Sequence, residues 1–342
     1  MKAARLYAAG DIRVEEIEAP GPLVAGTVRL AVTAAGICGS DLHNFRTGQW
    51  ITRSPSVAGH ELAGVVMEVG TGVSAFSPGD TVVADSRVWC GECAACRSGR
   101  RNICDRLGFV GEVCDGGFAE EIVLPARLLV RYDPALDPAI AAMAEPLAVA
   151  LHAIRRQAVP AGEPVLIIGC GPIGGLAALL LSRLHTGPLL VCDNNRARSE
   201  RVAQVTGATQ VTLDPASLHA ALGEQALRYA LDATGQRDVL KRAIACLQGG
   251  GSLTLVGITH GNIDLDPNVL VEREIALMGC HAFRDELPEA VAMLPEMATS
   301  LARLIDREIA IEDIPAAYER LLAGSAAGLK TIVRIAQAEQ LS

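Results

Sequence analysis

The sequence predicts an α/β protein in which a β-rich first part is followed by a parallel sheet covered by helices. Three observations predict it. From Met1 to about Leu124, short β-branched segments are broken by Gly, Pro and Asp. From about Pro146, strand-length apolar runs alternate with helical periodicity, a pattern that implies parallel strands with helices on both faces. One of those runs, Val165-Leu166-Ile167-Ile168, passes directly into Gly169-Cys170-Gly171-Pro172-Ile173-Gly174.

In chain order, the first part predicts strands at Thr27–Thr33, Gly64–Val69, Thr81–Ala84 and Phe118–Leu124. Ser77-Pro78-Gly79-Asp80 and Asp115-Gly116-Gly117 are turn signals,. The second part predicts Val165–Gly169, Leu189–Asp193, Ala208–Leu213, Tyr229–Asp232, Ser252–Val256 and Ile275–Gly279. A helical pattern returns over Leu287–Leu304, and Thr331–Ile335 reads as a final strand. At the junction, Leu147, Leu151 and Ile154 form one helical face behind Pro146. Proline suits the first helical position and biases Glu145 toward an extended conformation. On this pattern alone Glu145 is either a functional acid or a solvated helix-entry acid. No internal repeat or low-complexity segment interrupts the chain.

At 342 residues, half of them hydrophobic and only 3% aromatic, the chain can bury a large core made of Ala, Val, Leu and Ile,. A formal charge of −9 argues against nucleic acid or an anionic membrane as partner,. Charges run through Met1–Glu16, so no signal peptide is expected, and no apolar run is long enough to cross a bilayer,. The expectation is a cytoplasmic protein.

The glycine segment predicts a dinucleotide site. Gly169 permits a tight turn, Gly171 lets a pyrophosphate approach the backbone, and Gly174 lets the following helix pack on the strand. Backbone amides at a helix start then face an anion. Leu189-Leu190-Val191-Cys192-Asp193 supplies a second strand ending in an acid, placed to accept a ribose hydroxyl,. Such an acid repels a 2′-phosphate, which favours NAD over NADP; Arg196 and Arg198 nearby are the counter-argument,. Thr234 in Asp232-Ala233-Thr234-Gly235, and Val256-Gly257-Ile258, end later strands on the ligand side of the sheet. They are the expected lining for the adenine and nicotinamide ends, with core packing the other reading of Val256.

Of ten cysteines, four crowd into Cys90-x-x-Cys93-x-x-Cys96 and Cys104. Four thiolates this close suit a closed, tetrahedral structural Zn²⁺ with Zn–S of about 2.3 Å. The bacterial iron–sulfur spacing, with a nearer fourth cysteine followed by proline, is absent,. A looser pair is Cys38 in Gly36-Ile37-Cys38-Gly39-Ser40-Asp41-Leu42-His43 and His60 in Gly59-His60-Glu61. A catalytic zinc needs about three protein ligands and an open position, and Glu61 or Glu145 could complete the set. The residue types alone leave a structural reading of Cys38 and His60 equally open.

Taken in order, Cys38-Gly39-Ser40-Asp41, Gly59-His60-Glu61 with Gly64, the four-cysteine segment, Ala144-Glu145-Pro146-Leu147 and Gly169–Gly174 resemble the zinc-dependent medium-chain alcohol and polyol dehydrogenases over nearly the whole chain. The resemblance implies a GroES-like catalytic domain at about 1–147 and 280–342, with a Rossmann domain at 148–279 inserted into it. It implies Cys38 and His60 as catalytic zinc ligands, Glu61 as a carboxylate at or behind the metal, and Ser40 and His43 as a proton relay. Glu145 stands where many simple alcohol dehydrogenases have cysteine, a departure that resembles the sorbitol, threonine and L-idonate branch; whether it binds zinc directly or through water stays open.

The implied cofactors are two Zn²⁺ per chain and NAD, and the implied assembly is a homotetramer or homodimer. The implied reaction oxidises a secondary hydroxyl of a polyol or sugar acid, L-idonate-like first, with sorbitol, butanediol and L-threonine as alternatives. Asn44-Phe45 departs from the two aromatics some relatives carry after the relay histidine. Arg284 is a candidate for a substrate carboxylate or a surface residue. A non-catalytic NAD-binding zinc protein is the reading from a different class, although such proteins usually lose the ligands or relay that this chain keeps.

Overall fold

The computed structural model describes residues 1–324 and 326–335. It divides into two compact units, Met1–Glu145 with Leu287–Ala326 and the segment from Lys330, and Pro146–Glu286 with Ala327–Leu329.

The first unit is built around the strand Thr27–Gly36, whose Val28, Leu30, Val32, Ala34 and Ala35 are fully or almost fully buried. It pairs antiparallel with Glu61–Val69 on one side and with Lys330–Arg334 on the other, and its first half also pairs with Glu121–Pro125. The sheet runs on through Thr81–Ala84 and Leu129–Arg131 at one edge, and through Ile305–Ala310 at the other. The helix Leu287–Leu304 buries Leu287, Ala290, Val291, Leu294, Met297, Leu301 and Leu304, the spacing of a single helical face,.

The strand expected from Phe118 begins at Glu121. Phe118 N–H and Gly117 N–H instead bond to Ala58 O and Gly59 O, and the Phe118 ring fills the place where a Cβ on Gly59 would sit, 2.7 Å away. Gly59 has φ +89°, so both backbone angle and space demand glycine just before His60,. Arg87–Val88 and Gly108–Phe109 form a two-stranded ribbon that closes the neck of the four-cysteine segment.

The second unit is a six-stranded sheet, parallel throughout, in the order Thr209–Gln210, Leu189–Cys192, Val165–Ile168, Tyr229–Asp232, Ser252–Leu255, Ala276–Gly279. In sequence terms this is the order 3-2-1-4-5-6 of doubly wound dinucleotide-binding sheets, which reverses direction beside the first strand. All four residues of Val165–Ile168 are buried, which explains its unbroken apolar run,. The expected strand Ala208–Leu213 shrinks to two exposed residues, Thr209–Gln210, because it is an edge that pairs only with Leu190 and Val191. Among the described residues no helix is long and apolar enough to cross a membrane.

A buried pair ties the helix Ala144–Gln157 to the segment following the last strand: His152 Nδ1 lies 2.9 Å from Glu286 Oε1. Burial pushes the Glu286 carboxyl up, but His152 and the Arg284 N–H outweigh it and hold the pKa at about 2. A carboxylate depressed in the fold stabilises at pH above its unfolded pKa and loses that contribution as pH falls. Glu286→Gln should therefore cost about 1–2 kcal/mol at neutral pH, discounted for partial solvent screening. The gap should close between about pH 4.5 and pH 2 in denaturant titrations; a gap independent of pH would refute the depressed Glu286 carboxylate.

Candidate functional site

The chain reverses at the end of the central strand, and Cys38 caps the helix Gly39–Thr47. Asp41, at the third position of that helix, accepts the Cys38 N–H at 2.8 Å. Its other oxygen lies 3.5 Å from His60 Nδ1, while His60 Nε2 lies 3.4 Å from Ser40 Oγ. A carboxylate on one ring nitrogen is how a metal-binding histidine is commonly oriented. One ligand atom each from Cys38, His60 and Glu61 lies within 4.8 Å of the other two. Thiolate, imidazole and carboxylate are donor types that suit Zn²⁺, and three protein ligands leave one tetrahedral position for a substrate or water.

Charge makes the same point. Glu61 is fully buried, and neither of its oxygens receives a hydrogen bond, although Lys330 Nζ forms an ion pair with it. Burial pushes the Lys330 ammonium down, but the Glu61 charge outweighs it and raises its pKa. Burial likewise opposes protonation of His60, yet Asp41 and Cys38 hold its pKa well above the usual histidine value. The field at this point favours positive charge, as a cation site requires.

Register brings Glu61 and Lys330 together. Glu61 pairs with Gly36, and Gly36 pairs with Ile332 across the other edge. A Cβ on Gly36 would stand 2.1 Å from Glu61 Oε2 and 2.8 Å from Lys330 Cε, so the glycine is required by close approach.

Glu145 lies outside that ligand trio and is 6% exposed, with Ser86 Oγ donating to its Oε1 at 2.6 Å. Burial, reinforced by Glu61 and opposed by His60, Ser86 and Lys330, raises its carboxyl to about 7. Ser40 and His43 share the helix Gly39–Thr47, but their hydrogen bonds run to different places. Ser40 meets His60, whereas His43 Nε2 meets Gln49 at 3.1 Å and Thr47 at 3.3 Å, with Trp50 against its ring. Asn44 caps the Trp50 N–H, and Phe45 packs edge-on against Tyr318.

Cys90, Cys93, Cys96 and Cys104 gather their sulfurs within 4.8 Å of one another. Cys90 Sγ is 3.9 Å from Cys96 Sγ and 3.5 Å from Cys104 Sγ, close to the roughly 3.8 Å edge of a tetrahedron with 2.3 Å Zn–S bonds. Backbone N–H groups of Cys93, Cys96 and Arg106 point at these sulfurs, and the Cys93 N–H leads in lowering the Cys90 thiol to about 6. Among the described residues every cysteine is a free thiol.

In the second unit, Gly169 has φ +95° and faces Thr234 Cγ2 at 2.7 Å from a notional Cβ. A Cβ on Gly174 would stand 1.8 Å from Gly169 O, whereas one on Gly171 would meet nothing in the protein. Only Gly171 is thus glycine without a reason inside the fold, which fits a pyrophosphate approaching there. Pro172 and Ile173 open the helix Pro172–Leu184 behind it. Asp193 accepts Cys170 N–H and Asn195 N–H, each at 2.6 Å, one on either oxygen. Arg196 is engaged by Glu200 at 2.6 Å, and Arg198 sits in the first turn of the next helix. Asp232 accepts from Thr234 Oγ1 at 2.6 Å and from Gly235 N at 3.0 Å. Gly235 packs backbone to backbone against Gly257 and Ile258, leaving Val256 half-buried and Ile258 45% exposed. Arg284 lies beside Asp285, and its N–H is committed to Glu286.

Sequence reasoning gave no role to Asp41, Ser86 or Lys330, and gave Asp232 only a place in a segment expected to line the cofactor. Asp41 and Asp232 were visible in motifs already singled out. Nothing in the sequence marks Lys330 as buried, because that depends on which strand lies beside it.

Residues 24–134 match the family model of the alcohol dehydrogenase GroES-like domain, and residues 172–296 match that of the zinc-binding dehydrogenases. The chain is 33% identical to the L-galactonate-5-dehydrogenase of Escherichia coli K12, covering 81% of this chain and 80% of that protein. It is 30% identical to the sorbitol dehydrogenase of Bacillus subtilis, covering 97% of each. The crystal structure of 2R,3R-butanediol dehydrogenase from Bacillus subtilis superposes with a TM-score of 0.88 at 30% identity, covering 97% of this chain and 99% of that one.

Gly36→Ala should force the Glu61–Lys330 pair apart. The expected result is a fall in bound zinc from two to one per chain and a loss of about 2–4 kcal/mol in stability. Two zincs and an unchanged Tm would show that the pair tolerates displacement.

Proposed function

The chain belongs to the zinc-dependent medium-chain dehydrogenase family, and from that premise we propose that it oxidises a secondary alcohol of a polyol or sugar acid to a ketone, with NAD as hydride acceptor. An L-idonate-like sugar acid is the first choice of substrate, with sorbitol, butanediol and L-threonine as alternatives. The observation that carries the reading is the convergence of Cys38, His60 and Glu61 ligand atoms within 4.8 Å beside the Ser40 hydroxyl.

Zn²⁺ at this centre supplies Lewis acidity toward a substrate hydroxyl when bound. Cys38 and His60 are the residues to hold it, with Asp41 fixing the His60 ring,. Ser40 Oγ, 3.4 Å from His60 Nε2, lies next to the ligand set and is the group to accept the substrate's hydroxyl proton,. His43, on the same helix and hydrogen-bonded to Gln49 and Thr47, is the group to pass that proton to solvent, with a bridging hydroxyl or water needed between Ser40 and its ring,. The four-cysteine cluster, with all four positions filled by thiolates, is closed to substrate and serves stability,. In the second unit Asp193 supports the choice of NAD: its carboxylate is held at the strand end by two backbone N–H groups, where a ribose hydroxyl can still reach an unused lone pair,.

The test is NADH formation over a panel of polyols, sugar acids and L-threonine, together with metal analysis. Two zincs per chain and turnover on the panel support the reading; a single zinc with no turnover supports a non-catalytic protein. Cys38→Ser should reduce turnover to background while leaving NAD affinity nearly unchanged, and undiminished rates would refute its role. Asp193→Ala should narrow the preference for NAD over NADP by about tenfold, equivalent to roughly one hydrogen-bonded charge contact. An unaltered ratio of kcat/KM values for the two cofactors would count against Asp193 as the discriminating group.

A further inference from the structure

The segments that enter and leave the four-cysteine lobe are zipped together as far as Ser86. Arg87 pairs with Phe109 and Val88 with Gly108, and Val110 N–H donates to Ser86 O at 2.8 Å. The zip is braced on both sides of Ser86. Arg87, 2% exposed, grips Asp85 through Nε at 2.9 Å and Nη2 at 2.7 Å, and its own N–H donates to Asp85 Oδ1 at 2.9 Å. The Arg87 guanidinium also lies over the Trp89 ring, 5.4 Å from its centroid, one residue before the first cysteine of the lobe. A buried two-point clamp between the neighbours of Ser86 leaves its backbone little freedom. Its side chain, fully buried, is the group that donates to Glu145 Oε1 at 2.6 Å.

We propose that Ser86 is the positioning residue for Glu145, holding Oε1 so that Oε2 is the oxygen available to the Cys38–His60 centre. The root of the four-cysteine lobe thereby sets the geometry of the second carboxylate at that centre. The two buried acids are held by different chemistry. Glu61 is paired with an ammonium, whereas Glu145 is held by a neutral hydroxyl that occupies Oε1,. This inference rests on the metal centre of the proposed function.

The test uses the full-length chain with Co²⁺ at the Cys38–His60 centre, reading the visible absorption bands and the Co²⁺ affinity by chelator competition. Ser86→Ala should shift the bands and weaken Co²⁺ binding about tenfold or more, the usual range for losing a group that orients a ligand. It should leave the zinc of the four-cysteine lobe in place. Ser86→Thr, which restores the hydroxyl, should recover both signals. In a Glu145→Ala background, Ser86→Ala should have no further effect, because its action passes through the missing carboxylate. Unchanged bands and affinity in Ser86→Ala, or an additive loss in the double variant, would overturn the assignment while the proposed function stands. A wild-type chain that takes metal only in the lobe would overturn both.

Discussion

Glu61 and Lys330, both shut off from water, face each other at the ends of strands that flank the same central strand. Removing either partner from a buried pair typically costs about 3–5 kcal/mol, since the other charge is left without compensation. The architecture of the first unit is arranged around that cost. The central strand must end in a residue without a side chain, and Gly36 does. The strand Glu61–Val69 must begin at the residue after His60, and Lys330 must lead the last strand into place beside them. Cys38, two residues beyond Gly36, and His60, the residue before Glu61, are then brought within reach of Glu61. A ligand set gathered from two separate parts of the sequence, Cys38 and His60-Glu61, is thus a consequence of strand register.

Asp41, Ser86 and Asp232 extend the same logic outward. Each is an acid or hydroxyl whose partners are a functional side chain or the backbone of a functional turn. Asp193 belongs with them, since the two N–H groups it accepts fix the Gly169–Gly171 turn as well as the acid itself. Polar groups at such depth are stable only when satisfied, so each fixes its neighbours at the same time as it is fixed. Rigid placement of the groups that must act on a small molecule follows without any loop having to order itself.

The two metal clusters illustrate how differently such sites are built. The four-cysteine lobe takes all its ligands from fifteen consecutive positions, Cys90 to Cys104, and needs only a short ribbon at its neck to close. The Cys38–His60 centre draws on the end of one strand, the start of another and a buried acid whose position depends on a third. One is local chemistry and the other is a product of the sheet.

That contrast marks what the amino-acid sequence determined by itself. The glycine turn at Gly169–Gly174, the acid Asp193 and the cysteine spacing were legible because each is a local device whose geometry follows from neighbouring residues. The strands Tyr229–Asp232 and Thr81–Ala84 were legible as apolar runs bounded by turns. Tertiary structure alone decided the rest. It shortened the strand expected from Phe118, because residues 117 and 118 give their hydrogen bonds to Ala58 and Gly59. It buried Lys330 against Glu61 and Ser86 against Glu145, across 269 and 59 positions of sequence by their numbering. Periodicity and spacing report which face of an element is apolar, but a polar partner at long range is set by strand register, which no local pattern encodes.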